Sequence, residues 1–327
     1  MDFLKKTSRD KAAGAGKSGI GEMIASRETG VVHLTHNDLD AVGADAIHRM
    51  KFGKIVSVFC SVGSFPSILG QISGIHGNGD LLSISDLGFQ QQAVAPLKNL
   101  KTNGWRIEWR DHHRWKDEEL RIAGEIVDLL SVDVTTCGCG LCARDLMPGD
   151  PQAAEVARVV CDYDLWKHED PRSAVLGIVL QKRKNRDYVR DAMVKGVLSD
   201  ETIEREYREI SDEMEAMMEK SERRAVVMGS RYRIVLAPLY GYPSETAARL
   251  RKDLSSDMEV LISPGGRFSL RSVPPISHLI AREFNGGGHP NAAGGSFDFS
   301  LWEKFLFWLR GKNSKFDRFV KIAESIE

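Results

Sequence analysis

The sequence predicts an α/β protein in which a parallel-sheet domain is joined by a helix to a smaller α/β domain. Three observations predict it. Short β-rich runs alternate with helical stretches through the first half of the chain, the pattern of strand–helix–strand units in a parallel sheet. A long acidic amphipathic stretch then interrupts the alternation, and a second strand–helix series follows it. Finally, 327 residues suit two domains at roughly 100–200 residues each.

Residues 1–29 mix Gly, Ala, Ser and charges without a period and read as a loose arm or short helix. Strands are expected at 31–35, 55–59, 81–85 and 105–109, with helices at 40–51 and 117–130. Between 199 and 226, Ile203, Tyr207, Ile210, Met214, Met217 and Met218 recur at three- and four-residue steps. They form one face of a connecting helix; the other face is acidic and solvated, and Asp200 and Glu201 suit its first turn. Strands at 232–237, 259–262 and 268–271 and helices at 244–254 and 276–284 follow, ending in a glycine-rich loop. The expected division is an arm at 1–29, a parallel-sheet domain at 30–196, a connecting helix at 197–227, a smaller α/β domain at 228–300 and a C-terminal helical extension at 301–327. Trp302, Phe305, Leu306 and Leu309 stand at helical spacing in that extension, as a packing face or as an exposed stripe marking a homodimer contact.

Composition narrows the function. With 42% hydrophobic and 28% charged residues the chain is globular, not disordered. Its 45 Lys+Arg against 46 Asp+Glu give a net charge of −1, which excludes a protein that coats long duplex nucleic acid by bulk charge. Five cysteines are an odd number and no secreted disulfide framework, so a reducing, cytoplasmic setting is expected. The N-terminus lacks the apolar core of a signal peptide, and no run approaches the roughly 18 apolar residues of a membrane span.

Four segments carry acids and histidines where strands are expected to stop. They are His36-Asn37-Asp38-Leu39-Asp40, Asp86, Asp111-His112-His113, and Asp162 within VVCDYDLW. Alternate residues of an extended segment point the same way, so His36, Asp38 and Asp40 can converge. One such residue is ordinarily a cap; four such segments in order suggest a site. Asp38, Asp40, Asp86 and Asp162 in one cleft would carry −4, which two divalent cations balance. Imidazole among the ligands favours manganese or another transition metal over magnesium, and a pair of such ions is a clamp for hydrolysing phosphate esters.

In these motifs the chain resembles the DHH-family phosphoesterases over about residues 31–300. HNDLDAVGADA resembles the family's first motif, SDLG its second, Asp111-His112-His113 its third and CDYD its fourth. NGGGHPNAAGG at 285–295, preceded by SLRS at 269–272, resembles the glycine-rich motif of the family's C-terminal domain. The resemblance implies that His36, or a water in its place, with Asp38 and Asp86 would hold one metal ion. Asp40, Asp86, His112 and Asp162 would hold the other, with Asp86 bridging. A hydroxide between the ions would be the nucleophile. Asp111 would orient His112, and His113 would contact the scissile phosphate. Pyrophosphatase-like members put three residues between the first His and the next Asp; here only Asn37 intervenes. This short form resembles the nano-RNA and cyclic-nucleotide phosphodiesterase branch.

Gly286, Gly287 and Gly288 would bring backbone amides close to an anion, and Arg271, Ser272, His289 and Asn291 complete the expected substrate grip. One domain would cut while the other holds the far end, so a short molecule fits best. The expected substrate is a very short oligoribonucleotide; a cyclic nucleotide or dinucleotide, a 3′-phosphoadenosine phosphate, pyrophosphate, and a non-catalytic nucleotide sensor are the alternatives. Other features are weaker. Gly14-Ala15-Gly16-Lys17-Ser18 ends like a phosphate-binding loop, but Lys11 stands where that loop needs Gly. Cys137, Cys139 and Cys142, with Cys161, read as buried small side chains, with a metal site or redox sensing as alternatives. The basic run 182–186 with Arg190 reads as a solvated face, or as a phosphate-steering patch.

Overall fold

The computed structural model describes residues 19–326; most of the expected N-terminal arm, the 14–18 segment included, lies outside them. The chain divides into two compact units, residues 1–207 and 208–327.

The first unit opens with α1 (Gly19–Ala25), β1 (Val31–Thr35), α2 (Leu39–Phe52), β2 (Val56–Phe59), α3 (Phe65–Ser73), β3 (Leu81–Ser85), α4 (Val94–Thr102) and β4 (Arg106–Asp111). Next comes α5 (Asp117–Gly124), followed by β5 (Leu129–Val132). The helix expected at 117–130 therefore stops early: the backbone turns after Gly124, and Leu129–Val132 pairs with Glu108–Asp111 as a fifth strand. The five strands lie in the order β2-β1-β3-β4-β5, all parallel. Helices α6 (Gly138–Leu146), α7 (Pro151–Asp164), α8 (Pro171–Val179) and α9 (Arg186–Val194) complete the unit, and α10 (Glu201–Glu222) crosses the division. The segment holding Asp162 is thus helical, not a strand end. Asp150 caps it through Ala153 N–H, and Pro151 opens its first turn.

The sheet's two faces are chemically different. Val32, Leu34, Leu82, Ile84, Ile107 and Trp109 pack with Phe65, Leu69, Ile72, Leu97 and Leu100 of α3 and α4 in an apolar core. Alternate residues point the other way, and there His33, Thr35, Ser83, Ser85 and Arg110 are buried. Hydrogen bonds to α2 engage His33 and Ser83 of that polar face. His33 meets Asp45 Oδ1 through Nδ1 and Ser85 Oγ through Nε2, each at 2.8 Å. His48 Nε2 meets Ser83 Oγ at 2.7 Å, and the two imidazoles stack at 3.8 Å. Register also matters for function. Thr35 stands beside Ser85, and Ser85 beside Arg110, so the residues after β1, β3 and β4 emerge level at the carboxyl edge, where α/β sheets bind ligands.

The second unit contains β6 (Val226–Met228), β7 (Ile234–Pro238), α11 (Pro243–Leu254), β8 (Met258–Ile262), β9 (Arg267–Ser272), α12 (Ser277–Arg282), β10 (Gly287–His289), β11 (Ala292–Ser296), α13 (Leu301–Arg310) and α14 (Lys315–Ser325). Its six strands run β10-β11-β9-β8-β7-β6, with only β7 and β8 parallel. The expected glycine-rich loop is in fact the edge hairpin β10–β11, whose glycines bear no side chains to reveal a strand period. Phe268, Phe284, Phe297, Phe316 and Phe319 form an aromatic core that takes in the C-terminal helices. Trp302 and Phe305 of α13 stay exposed and stack on each other. Among the described residues no helix is long and apolar enough to cross a membrane.

Candidate metal centre

Each group at the carboxyl edge is placed by its own backbone. Asp38 is the N-cap of α2: one oxygen accepts from Ala41 N–H at 3.1 Å, and the other meets His36 Nδ1 at 2.7 Å. Asp40, in the first turn, is fully buried. Its two oxygens accept from the amides of Gly138 and Cys139, both at 2.7 Å, at the start of α6. A side chain on Gly138 would meet Asp40 Oδ2 at 2.7 Å and Asp86 Cβ at 3.0 Å, so only glycine lets the helix end come this close. Asp86 follows β3 with φ of 52°, the left-handed region that Asp tolerates better than most residues.

These side chains converge. His112 Nε2 lies 3.3 Å from Asp86 Oδ1 and 3.7 Å from Asp40 Oδ2, while its Nδ1 is 3.6 Å from Asp164 Oδ2. His36 Nδ1 lies 3.7 Å from Asp86 Oδ2. Three groups each bring ligand atoms within 4.8 Å of one another: His36, Asp38 and Asp86; Asp40, His112 and Asp164; and Asp86, His112 and His113. Asp86 thus belongs to two of them.

The electrostatics fit divalent cations. Burial, then the charges of Asp40 and Asp38, push the Asp86 carboxyl well up. Burial and the neighbouring Asp164 do the same to Asp40, and burial raises Asp164 against the opposing pull of His112. Among the described residues, Asp86 Oδ2 and Asp164 Oδ2 are buried without a hydrogen-bond donor. A buried acceptor without a partner costs about 1–3 kcal/mol or more, and cations are the partners that would satisfy both oxygens. Burial lowers His112 despite the opposing Asp164, favouring the neutral ring that a metal ligand needs.

Two sequence expectations are corrected here. Asp162 does not join the cluster. Its carboxylate accepts from the backbone N–H of Glu169 and Asp170 and from Ser173 Oγ, fastening the segment that leads into α8. Residues two apart on a helix point about 200° apart, so only one aspartate of CDYD can face the cluster, and it is Asp164. The paired acids two residues apart were the available signal, but choosing between them requires knowing the helix phase. Asp111 likewise serves a different neighbour from the one expected. Fully buried, it accepts from His113 Nδ1 at 2.9 Å and from Trp115 Nε1 at 2.6 Å, and so orients His113 in place of His112. That bond raises the pKa of the half-exposed His113 ring.

In the second unit the expected substrate residues separate into two kinds. Ser272 is buried and bonds Pro274 O and Ser277 Oγ, and Asn291 Nδ2 donates to Ser272 O and Val273 O; both hold backbone. A side chain on Gly286 or Gly288 would strike the β11 backbone, so both glycines serve the hairpin. Gly287 is open and exposed, as is His289, and Arg271 reaches Ser244 Oγ at 3.4 Å. The basic run of the first unit is largely paired: Lys184 with Glu206, Arg190 with Asp187 and Asp191, and Arg186 over the Phe59 ring. Cys139 and Cys142 are free and buried, as the small-side-chain expectation has them, and so is Cys60, whereas Cys137 and Cys161 depart from it by forming a disulfide.

A cluster of carboxylates and imidazoles at the carboxyl edge of a parallel sheet, with two buried oxygens that lack donors, is an arrangement suited to divalent cations. No family model matches the chain. Oligoribonuclease NrnB of Bacillus subtilis is 26% identical over 313 residues, covering 84% of this chain and 75% of its own length. Among solved structures, an exonuclease RecJ bound to manganese shares the fold with a TM-score of 0.55 at 16% identity, covering 96% of this chain and 95% of that one. A pGpG-specific phosphodiesterase, PggH from Vibrio cholerae, shares it at 0.53 and 10%, covering 90% and 100%. Asp111-His112-His113 thus stands at the cluster, in a fold that the chain shares with these structures.

Proposed function

We propose that the protein is a manganese-dependent phosphodiesterase that hydrolyses very short oligoribonucleotides to nucleoside monophosphates. The observation that carries the proposal is the pair of buried, donorless oxygens on Asp86 and Asp164 in a cluster that also offers imidazole. His36, Asp38 and Asp86 would hold one ion; Asp40, Asp86, His112 and Asp164 would hold the other. Once bound, such ions neutralise charge on the phosphate and lower the pKa of water. The remaining work falls to this chain's own groups. Asp111 holds the Nδ1 proton of His113, so the ring favours its cationic form and offers Nε2–H to a phosphate oxygen. In the second unit, His289, Arg271 and the open Gly287 amide would grip a second phosphate. The name of the B. subtilis relative, an oligoribonuclease, supports the substrate class.

The test is turnover of pApA with Mn²⁺ beside a long single-stranded RNA, cAMP, pAp and pyrophosphate, with Asp86→Asn as control. Fast pApA cleavage that falls steeply with RNA length is expected. An inert pApA beside rapid turnover of another small phosphate would reject the substrate, and a fully active Asp86→Asn would reject the centre.

A further inference from the structure

We propose that Cys161 is a site of thiol–disulfide exchange with a small anionic thiol, and that this exchange sets the metal affinity of the cluster. The exchange site stands on the chain's own cysteines; the coupling rests on reading the acidic cluster as a metal centre. A cavity of about 360 Å³ between α6 and α7 is lined by Thr136, Arg144, Arg158, Cys161 and Lys167 among others. Cys161 lines the cavity and is 8% exposed, while Cys137 is fully buried. Arg144 is committed to Asp133 and Asp145, and Arg158 to Glu155 and Asp170. Lys167 makes no ion pair among the described residues, which leaves one free cation for a carboxylate-bearing thiol.

The leaving group is also prepared. Cys137 is the N-cap of α6, and its sulfur accepts from Gly140 N–H at 3.3 Å. A thiolate at a helix N-terminus is stabilised. The incoming thiolate attacks Cys161 Sγ, the Cys137–Cys161 bond breaks, and Cys137 departs as a thiolate that takes up a proton. A second small thiol then attacks the mixed disulfide, releasing the small disulfide and the Cys161 thiol, a two-electron reduction overall. Burial pushes the Cys60 and Cys142 thiols up to about 12, so neither competes.

The bond's position links it to the centre. Cys137 immediately precedes Gly138 and Cys139, whose amides hold Asp40. Cys161 lies three residues before Asp164 on α7. One covalent bridge therefore ties the helix end that grips one expected ligand to the helix that carries another. Releasing it loosens both, and lost support of metal ligands typically weakens affinity about 10–100-fold.

The test uses the full chain, treated with glutathione or with the cationic thiol cysteamine and mapped by mass spectrometry. Manganese titration calorimetry follows on the oxidised, reduced and reoxidised protein. The expected results are a mixed disulfide on Cys161, faster exchange with glutathione once thiolate fractions are matched, and loss of that preference in Lys167→Glu. Manganese affinity should fall at least about tenfold on reduction and recover on reoxidation. An adduct on Cys137, equal rates for the two thiols, or five free thiols after mild oxidation would overturn the exchange site. Equal affinity in both redox states would overturn the coupling. If the oxidised protein takes up no manganese, the metal centre itself fails, and the adduct map still decides the exchange site.

Discussion

Replacing Gly138 with alanine tests whether the start of α6 builds the centre. The added carbon would sit 2.7 Å from Asp40 Oδ2 and 3.0 Å from Asp86 Cβ, where ordinary contact begins at 3.4 Å. The helix end or the carboxylate must therefore yield by up to about 0.7 Å, whereas metal–ligand distances tolerate about 0.2 Å. The two 2.7 Å bonds that hold Asp40 lengthen together with that shift. Overpacking of this kind costs about 1–3 kcal/mol, and loss of orienting bonds weakens metal affinity about 10–100-fold. Manganese calorimetry beside thermal melting separates the two effects. The expected outcome is a fall in affinity of at least about tenfold with a melting point lowered by only a few degrees. Wild-type affinity in Gly138→Ala would refute the claim that this close approach shapes Asp40 for metal.

Three further substitutions address separate links. Asp164→Asn should remove one equivalent of bound manganese and most activity, while Asp162→Asn, which replaces one of the two oxygens accepting from Glu169, Asp170 and Ser173 with an amide donor, should keep metal stoichiometry and lower the melting point; calorimetry and melting of both variants check this. Asp45→Asn breaks a fully buried pair and should cost about 3–5 kcal/mol at neutral pH. Burial opposes ionisation of Asp45, but His33 and Arg49 outweigh it and hold the carboxyl below its ordinary range. Its contribution is complete above the unfolded-state value of about 3.9 and is lost as pH falls through the folded value, so wild-type denaturation midpoints should drop more steeply below pH 4 than those of the variant. His289→Ala should raise KM for pApA by about tenfold with little change in kcat, the signature of lost uniform binding, and steady-state kinetics would show whether kcat falls instead.

Much of this architecture is legible in the chain because it is written locally. The strand runs at 31–35 and 81–85 alternate cleanly, and His36, Asp38, Asp40, Asp86 and His112 follow apolar runs at their ends. What escaped depends on three-dimensional phase or on pairing across distance. Asp164 rather than Asp162 faces the cluster because α7 is a helix, a fact that the strand-end pattern conceals. The strand β5 is only four residues long and continues the apolar period of α5. The disulfide joins residues 24 apart, a proximity that only the packing of α6 on α7 creates. The roles of His33 and His48 are set by Asp45, Ser85 and Ser83, partners that come from other elements.

The polar face that these histidines form bears on temperature. Exposing apolar surface on unfolding raises the heat capacity, whereas exposing polar surface lowers it. A parallel sheet covered on both faces usually buries aliphatic side chains on each; this one buries His33, Thr35, Ser83, Ser85 and Arg110 on the side toward α2. The first unit should then unfold with a smaller heat-capacity increment than its length suggests, and its stability curve should be correspondingly flat. Such a domain would hold its carboxylates in place over a broad span of temperature, losing little stability on cooling because less of it derives from the hydrophobic effect.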